Sequence, residues 1–230
     1  TGAANDFDLY RKRYAAYQKL ADGARTVLSC FKEHPEKRLQ VKIRVIRTMP
    51  NLPAQVGSGM TAIARGKYAT QRDRDVAHQI FQCIGVAVNV KEDKLDAITA
   101  ISGSGPAYVF HFAEAFISAA RKVGLSKSQA ELLVFQTLYG SFDLLAQSLD
   151  DAATLRKKVT SKGGTTEAAL KIFKKNKFEQ VFGQAVKAAQ RRAKELSKYR
   201  RSLSPYMGKE QGTWPRLVSS VVAGYIRLMV

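Results

Sequence analysis

Two glycine-punctuated loops constrain this chain more than any other feature. They are Ser102-Gly103-Ser104-Gly105-Pro106-Ala107-Tyr108 and Thr160-Ser161-Lys162-Gly163-Gly164-Thr165-Thr166. Each opens onto a helical pattern. A helix N-terminus behind glycines offers backbone N–H groups and the positive end of a dipole, a ready site for a carboxylate or phosphate. The hydroxyls of Ser161 and Thr166 can add donors. No G-x-G-x-x-G occurs anywhere, so the tight turn that receives a dinucleotide pyrophosphate has no evident counterpart.

The elements around these loops are mostly helical. Residues 106–123 begin at Pro106, which suits a first helical position, and stop at Gly124. Residues 126–148 start from Ser126 as an N-cap and carry Gly140 as a close-packing point. Helices follow over 152–159, 166–174 and 177–198. The preceding part mixes types. Residues 7–31 show Phe7, Tyr10, Tyr14, Tyr17, Ala21, Ala24, Leu28 and Phe31 at helical spacing, with an end at His34-Pro35. Residues 41–47 alternate as a strand and run into Met49-Pro50-Asn51-Leu52-Pro53. Residues 57–64 supply a short strand, 72–84 a helix, and Val86, Val88 and Val90 another strand. Tyr199-Arg200-Arg201 opens a basic linker before an apolar tail ending at Val230.

Charge divides the chain in the same places. Residues 1–55 hold 11 Lys/Arg against 5 Asp/Glu, residues 56–155 hold 9 against 10, and residues 156–230 hold 18 against 4. The net charge of +19 therefore sits on the flanks of a neutral middle. Such asymmetry points to a polyanionic partner, nucleic acid or an anionic membrane, structured RNA above all. Candidate contacts are Arg11, Arg13, Lys171, Lys174, Lys175, Lys177, Arg191, Arg192, Lys198, Arg200 and Arg201. Cys30 and Cys83 show neither disulfide nor metal spacing, and His34, His78 and His111 form no ligand pattern, so no metal site is expected. No apolar run is long enough for a membrane span.

Several motifs in order carry a resemblance. Arg47 to Pro53 with Val56-Gly57-Ser58-Gly59, then Asp96 to Tyr108, then Val159 to Thr166, Gln136-Thr137 and Arg192 to Leu196 resemble the pyrroline-5-carboxylate reductase family from about Val45 to Leu196. That family uses NAD(P)H to reduce pyrroline-5-carboxylate to proline. It has an N-terminal Rossmann domain and a helical domain that dimerises and completes the substrate pocket. The resemblance implies a mainly α fold: a helical bundle of the reductase dimerisation-domain type with a small strand-containing remnant of a Rossmann domain. The expected division is a replacement helical segment over 1–40, the remnant over 41–92, the helical domain over 93–198 and an extension over 199–230. It also implies substrate-binding roles for Ser161, Gly163, Gly164, Thr165 and Thr166, and nicotinamide-side positions for Asn51, Ser104, Gly105 and Pro106. Lys162 departs from the family's usual proline.

Two functional expectations follow. With no cofactor fingerprint and only 48 residues before Met49, the first is a reductase homologue without cofactor, turned structural. It contacts ribosomal RNA and neighbouring proteins of a mitochondrial ribosome in the matrix, and a homodimer through the helical domain fits beside that. Thr1 in place of an initiator Met agrees with a processed organellar chain, and equally with a trimmed one. The alternative is an NAD(P)H-dependent reductase of proline biosynthesis with a truncated cofactor domain.

Overall fold

A computed structural model describes residues 27–29 and 44–202. The described residues fall into two compact units. One takes in those up to Pro106 and those from Lys187 onward, and the other is Ala107–Val186.

The first unit is built on a four-stranded sheet in the order β1-β2-β3-β4. Its strands are β1 (Val27–Ser29), β2 (Val45–Met49), β3 (Gly59–Arg65) and β4 (Gly85–Val90). β1 runs parallel to β2, with Val27 opposite Val45 and Ser29 opposite Arg47. β2 is antiparallel to β3, and β3 is parallel to β4. The β3–β4 connection is helix α1 (Gln71–Gln82), as a parallel pair requires a crossover.

The period-two alternation of β3 splits the core between the two sheet faces. Ile63 packs with Ile46, Ala69 and Ala77 against the α1 side. Ala62 and Ala64 turn the other way and pack with Leu95, from the short helix α2 (Leu95–Ile98). Four of the five residues of β2 are buried, the pattern of a strand covered on both faces. One of them is Arg47, whose guanidinium is neutralised by Glu92. At the head of α1, Thr70 and Asp73 form a capping box: Asp73 N–H donates to Thr70 Oγ1 at 3.2 Å and Thr70 N–H to Asp73 Oδ2 at 2.7 Å.

The second unit is helical. It contains most of α3 (Gly105–Lys122), then α4 (Lys127–Gln147), α5 (Ala152–Lys158), α6 (Thr165–Lys175) and the start of α7 (Phe178–Ser202). Ser126 caps α4 as expected, receiving Gln129 N–H at 3.3 Å while Gln129 Oε1 receives Ser126 N–H at 3.0 Å. α3 and α4 meet through Ala120, Ala130 and Val134, with Ile117, Leu125 and Leu138 around them. Small residues at a crossing let two helix backbones approach closely.

Four expectations need correction. The helix expected over 7–31 does not persist to its end, because Val27–Ser29 pair with β2, and long-range pairing overrides helical spacing there. The rest of that expectation lies outside the described residues. The sheet thus takes in residues from the segment expected to be wholly a replacement helix. Of the strand expected over 41–47, residues 45–47 lie in β2, which runs on to Met49, Arg44 lies before it, and 41–43 are outside the described residues. Tyr199–Arg201 belong to the last turn of α7 rather than to a linker. Among the described residues nothing lies within 4 Å of a Cβ built at Gly140, so the close packing expected there is not made within this chain.

Candidate functional site

The first glycine loop begins at a widened turn. After α2 the backbone passes through a π-helical turn, Thr99–Gly103, in which Ser104 N–H reaches back to Thr99 O at 2.8 Å. Such turns insert an extra residue into a helical register and recur at functional sites. A Cβ at Gly103 would lie 2.8 Å from Met49 Cε, the end of a flexible side chain that would have to shift. The Met49–Asn51 segment is clamped onto this turn by Asn51. Its Nδ2 donates to Ser102 O at 3.1 Å, and its Oδ1 accepts Met60 N–H at 2.8 Å. The structure therefore brings Asn51 to the Ser102–Pro106 loop. It spends the Asn51 carbonyl oxygen and at least one amide N–H on holding the fold. Ser104, Gly105 and Pro106 follow at the start of α3, with open space around Gly105.

The second loop joins α5 to α6. Asp151 caps α5, accepting Thr154 N–H at 2.7 Å, and that bond holds its carboxyl below the usual range. Thr160 Oγ1 donates back to Arg156 O at 2.6 Å and closes the end of α5. Lys162 is exposed. Gly163 takes φ +74°, the left-handed region that glycine enters without steric cost. Gly164 is the N-cap of α6, its N–H donating to Ser161 O at 3.1 Å. Having no side chain, Gly164 leaves the first-turn N–H groups of α6 without a side-chain cap. Ser161, Gly163, Gly164, Thr165 and Thr166 thus lie on one loop at one helix start, an arrangement suited to a small carboxylate.

One participant was not foreseen. Glu167 accepts Gly163 N–H at 2.9 Å and pairs with Lys171 at 3.3 Å. Gly163 first, and Lys171 after it, hold its carboxyl below the ordinary range. The clue in the sequence is the repeated spacing of four, Gly163 to Glu167 to Lys171.

Comparison with known proteins gives the family. A family model described as pyrroline-5-carboxylate reductase dimerisation matches residues 92–196. Pyrroline-5-carboxylate reductase 2 of Bacillus subtilis is 41% identical over 155 residues, covering 67% of this chain and 56% of that protein. The Synechocystis reductase is 42% identical over 154 residues, covering 67% and 58%. The solved reductase of Coxiella burnetii superposes with a TM-score of 0.70 at 34% identity, over 83% of this chain and 73% of that one. The chain belongs to the pyrroline-5-carboxylate reductase family. It spans somewhat over half the length of the curated family members it matches.

Family membership overturns the expectation of a chain with no cofactor. A solved reductase from Plasmodium falciparum, at TM-score 0.68 and 34% identity, over 71% of this chain and 66% of that one, has NADP bound. The start of α1 is not a free anion site. The strand-to-helix turn between β3 and α1 ends in the Thr70–Asp73 capping box, and Arg44 pairs with Asp73 at 3.3 Å. That helix start already carries its own carboxylate. Gly57-Ser58-Gly59 leads from a 3-10 turn into β3, not into a helix.

The basic candidates distribute as follows. Lys171, Lys174 and Lys175 lie on α6, Lys177 follows at φ +54°, and Arg191 and Arg192 lie on α7. Lys171 and Arg192 are engaged with Glu167 and Glu195. Lys198, Arg200 and Arg201 belong to the end of α7, and Arg11 and Arg13 lie outside the described residues. No helix among the described residues is long and apolar enough to cross a membrane.

Proposed function

We propose that this chain is the substrate-binding and dimerisation part of an NAD(P)H-dependent pyrroline-5-carboxylate reductase. The observation that carries the reading is the Ser161–Thr166 loop. It retains the glycine geometry, the uncapped helix start and both hydroxyls that a carboxylate site needs. In this reading Ser161, Thr165 and Thr166 hold the substrate carboxylate, and Gly163 and Gly164 let it approach the backbone. Ser104, Gly105 and Pro106 lie on the nicotinamide side, with Asn51 fixing their loop. NAD(P)H, when bound, supplies the hydride that reduces the imine to proline. The protein's part is to bind and orient the substrate.

Family membership backs this reading better than a ribosomal, RNA-contacting role, and the pairing of Lys171 and Arg192 with neighbouring glutamates gives those cations a local purpose. Self-association belongs to the same proposal. Leu132, Phe135 and Phe142 on α4 are 68%, 67% and 55% exposed in the isolated chain, an apolar surface that a second copy would cover.

Substitution of the loop hydroxyls in the full-length natural protein tests the carboxylate assignment. Thr166→Val and Ser161→Ala should each raise KM for pyrroline-5-carboxylate about tenfold, with the KM for NAD(P)H unchanged, as loss of a charge-assisted hydrogen bond predicts. Unchanged substrate KM in both variants would count against it.

A further inference from the structure

Glu167 places a carboxylate four residues from the turn proposed to receive another carboxylate. Its Oε2 accepts Gly163 N–H at 2.9 Å, and the same oxygen lies 3.3 Å from Lys171 Nζ. Two adjacent glycines, Gly163 and Gly164, would otherwise leave this turn many backbone states. A site that must be ordered on binding loses affinity to that ordering. A fixed side-chain acceptor on the first turn of α6 removes part of the cost, because α6 is already a helix of 11 residues.

We propose that Glu167 is a positioning residue for the substrate carboxylate. It latches Gly163 in its left-handed conformation, so that the neighbouring N–H groups of Thr165 and Thr166 stand presented to the ligand. Lys171 neutralises the latch, so that the approaching anion does not meet a bare negative charge. This rests on the reading of Ser161–Thr166 as the carboxylate site, and adds two residues to it.

The test uses the full-length natural protein with Glu167→Ala, Glu167→Gln and Lys171→Met. It reads steady-state KM and kcat for pyrroline-5-carboxylate together with amide hydrogen exchange at Gly163. Glu167→Ala should accelerate exchange at Gly163 and raise substrate KM about tenfold, with kcat held within about twofold. Glu167→Gln keeps an oxygen that can accept the Gly163 N–H, so it should restore both readouts to near the wild-type values. Lys171→Met should raise KM about threefold through the uncompensated carboxylate while leaving Gly163 protected. Unchanged exchange in Glu167→Ala overturns the latch. Faster exchange with unchanged KM overturns its positioning role, and a Glu167→Gln variant as impaired as Glu167→Ala overturns the hydrogen-bond mechanism. A wild-type protein without turnover would refute the reductase reading instead. Gly163 exchange and calorimetric titration with L-proline across the same variants would then decide the latch on its own.

Discussion

Asn51 is the residue on which the first loop depends. Its amide bridges β3 and the turn before α3, using Met60 N–H and Ser102 O. An isosteric apolar replacement leaves both backbone groups without that partner. Asn51→Leu should therefore destabilise the protein by about 1–3 kcal/mol, read as a lower urea midpoint at unchanged slope. Asp151 supplies a pH-dependent counterpart. Its cap on Thr154 depresses its folded pKa, so the stabilisation is complete above the unfolded pKa and is lost as pH falls through the folded one. In thermal melts below about pH 4, the Asp151→Asn variant should lose less stability than the natural protein, because the amide oxygen caps without titrating. Neither Asn51's clamp nor Glu167's latch could be read from residue types. The first bridges 51 positions to a backbone carbonyl. The second was written only as a four-residue spacing. The second glycine loop was legible because a left-handed position such as Gly163, at φ +74°, leaves a strong mark on sequence.

Among the elements, the helices were legible and the sheet was half so. α3 to α7 announce themselves through apolar spacing, Ser126, Pro106 and Gly124, all local signals. β1 is three residues inside a stretch with helical spacing, and its strand character comes wholly from pairing with β2 across 18 positions. β3 was read as a strand, and its division of labour between faces is what the structure adds. Ile63 is fully buried between β2 and α1, so Ile63→Ala should cost about 2–5 kcal/mol, measured by chemical denaturation. The apolar surface of α4 leads to a different expectation. Phe135 stacks on Tyr139 at 6.3 Å and is otherwise largely exposed. Phe135→Lys should shift sedimentation toward monomer while leaving the helical circular dichroism unchanged, because the residue contributes little to the fold of its own chain. A dimer of undiminished affinity would remove α4 from the interface.

At the scale of the whole molecule, composition and ancestry pointed in different directions. A net charge of +19 concentrated on the flanks suggested a polyanion partner, yet charge is a statement about solubility and long-range attraction, not about fold or chemistry. The ordered series of motifs identified the family, and the comparisons bear that out over the helical domain and the adjoining strands. The expectation of no cofactor drew too much from a missing fingerprint in a chain that spans little more than half of its curated relatives. In the proposed function the glycine loops serve reduction. That role is tested most directly by incubating the full-length natural protein with pyrroline-5-carboxylate and NADPH, or NADH, and measuring nucleotide oxidation together with proline. Proline should form in a one-to-one ratio with oxidised nucleotide. Absence of both proline formation and nucleotide binding at millimolar cofactor would contradict that role.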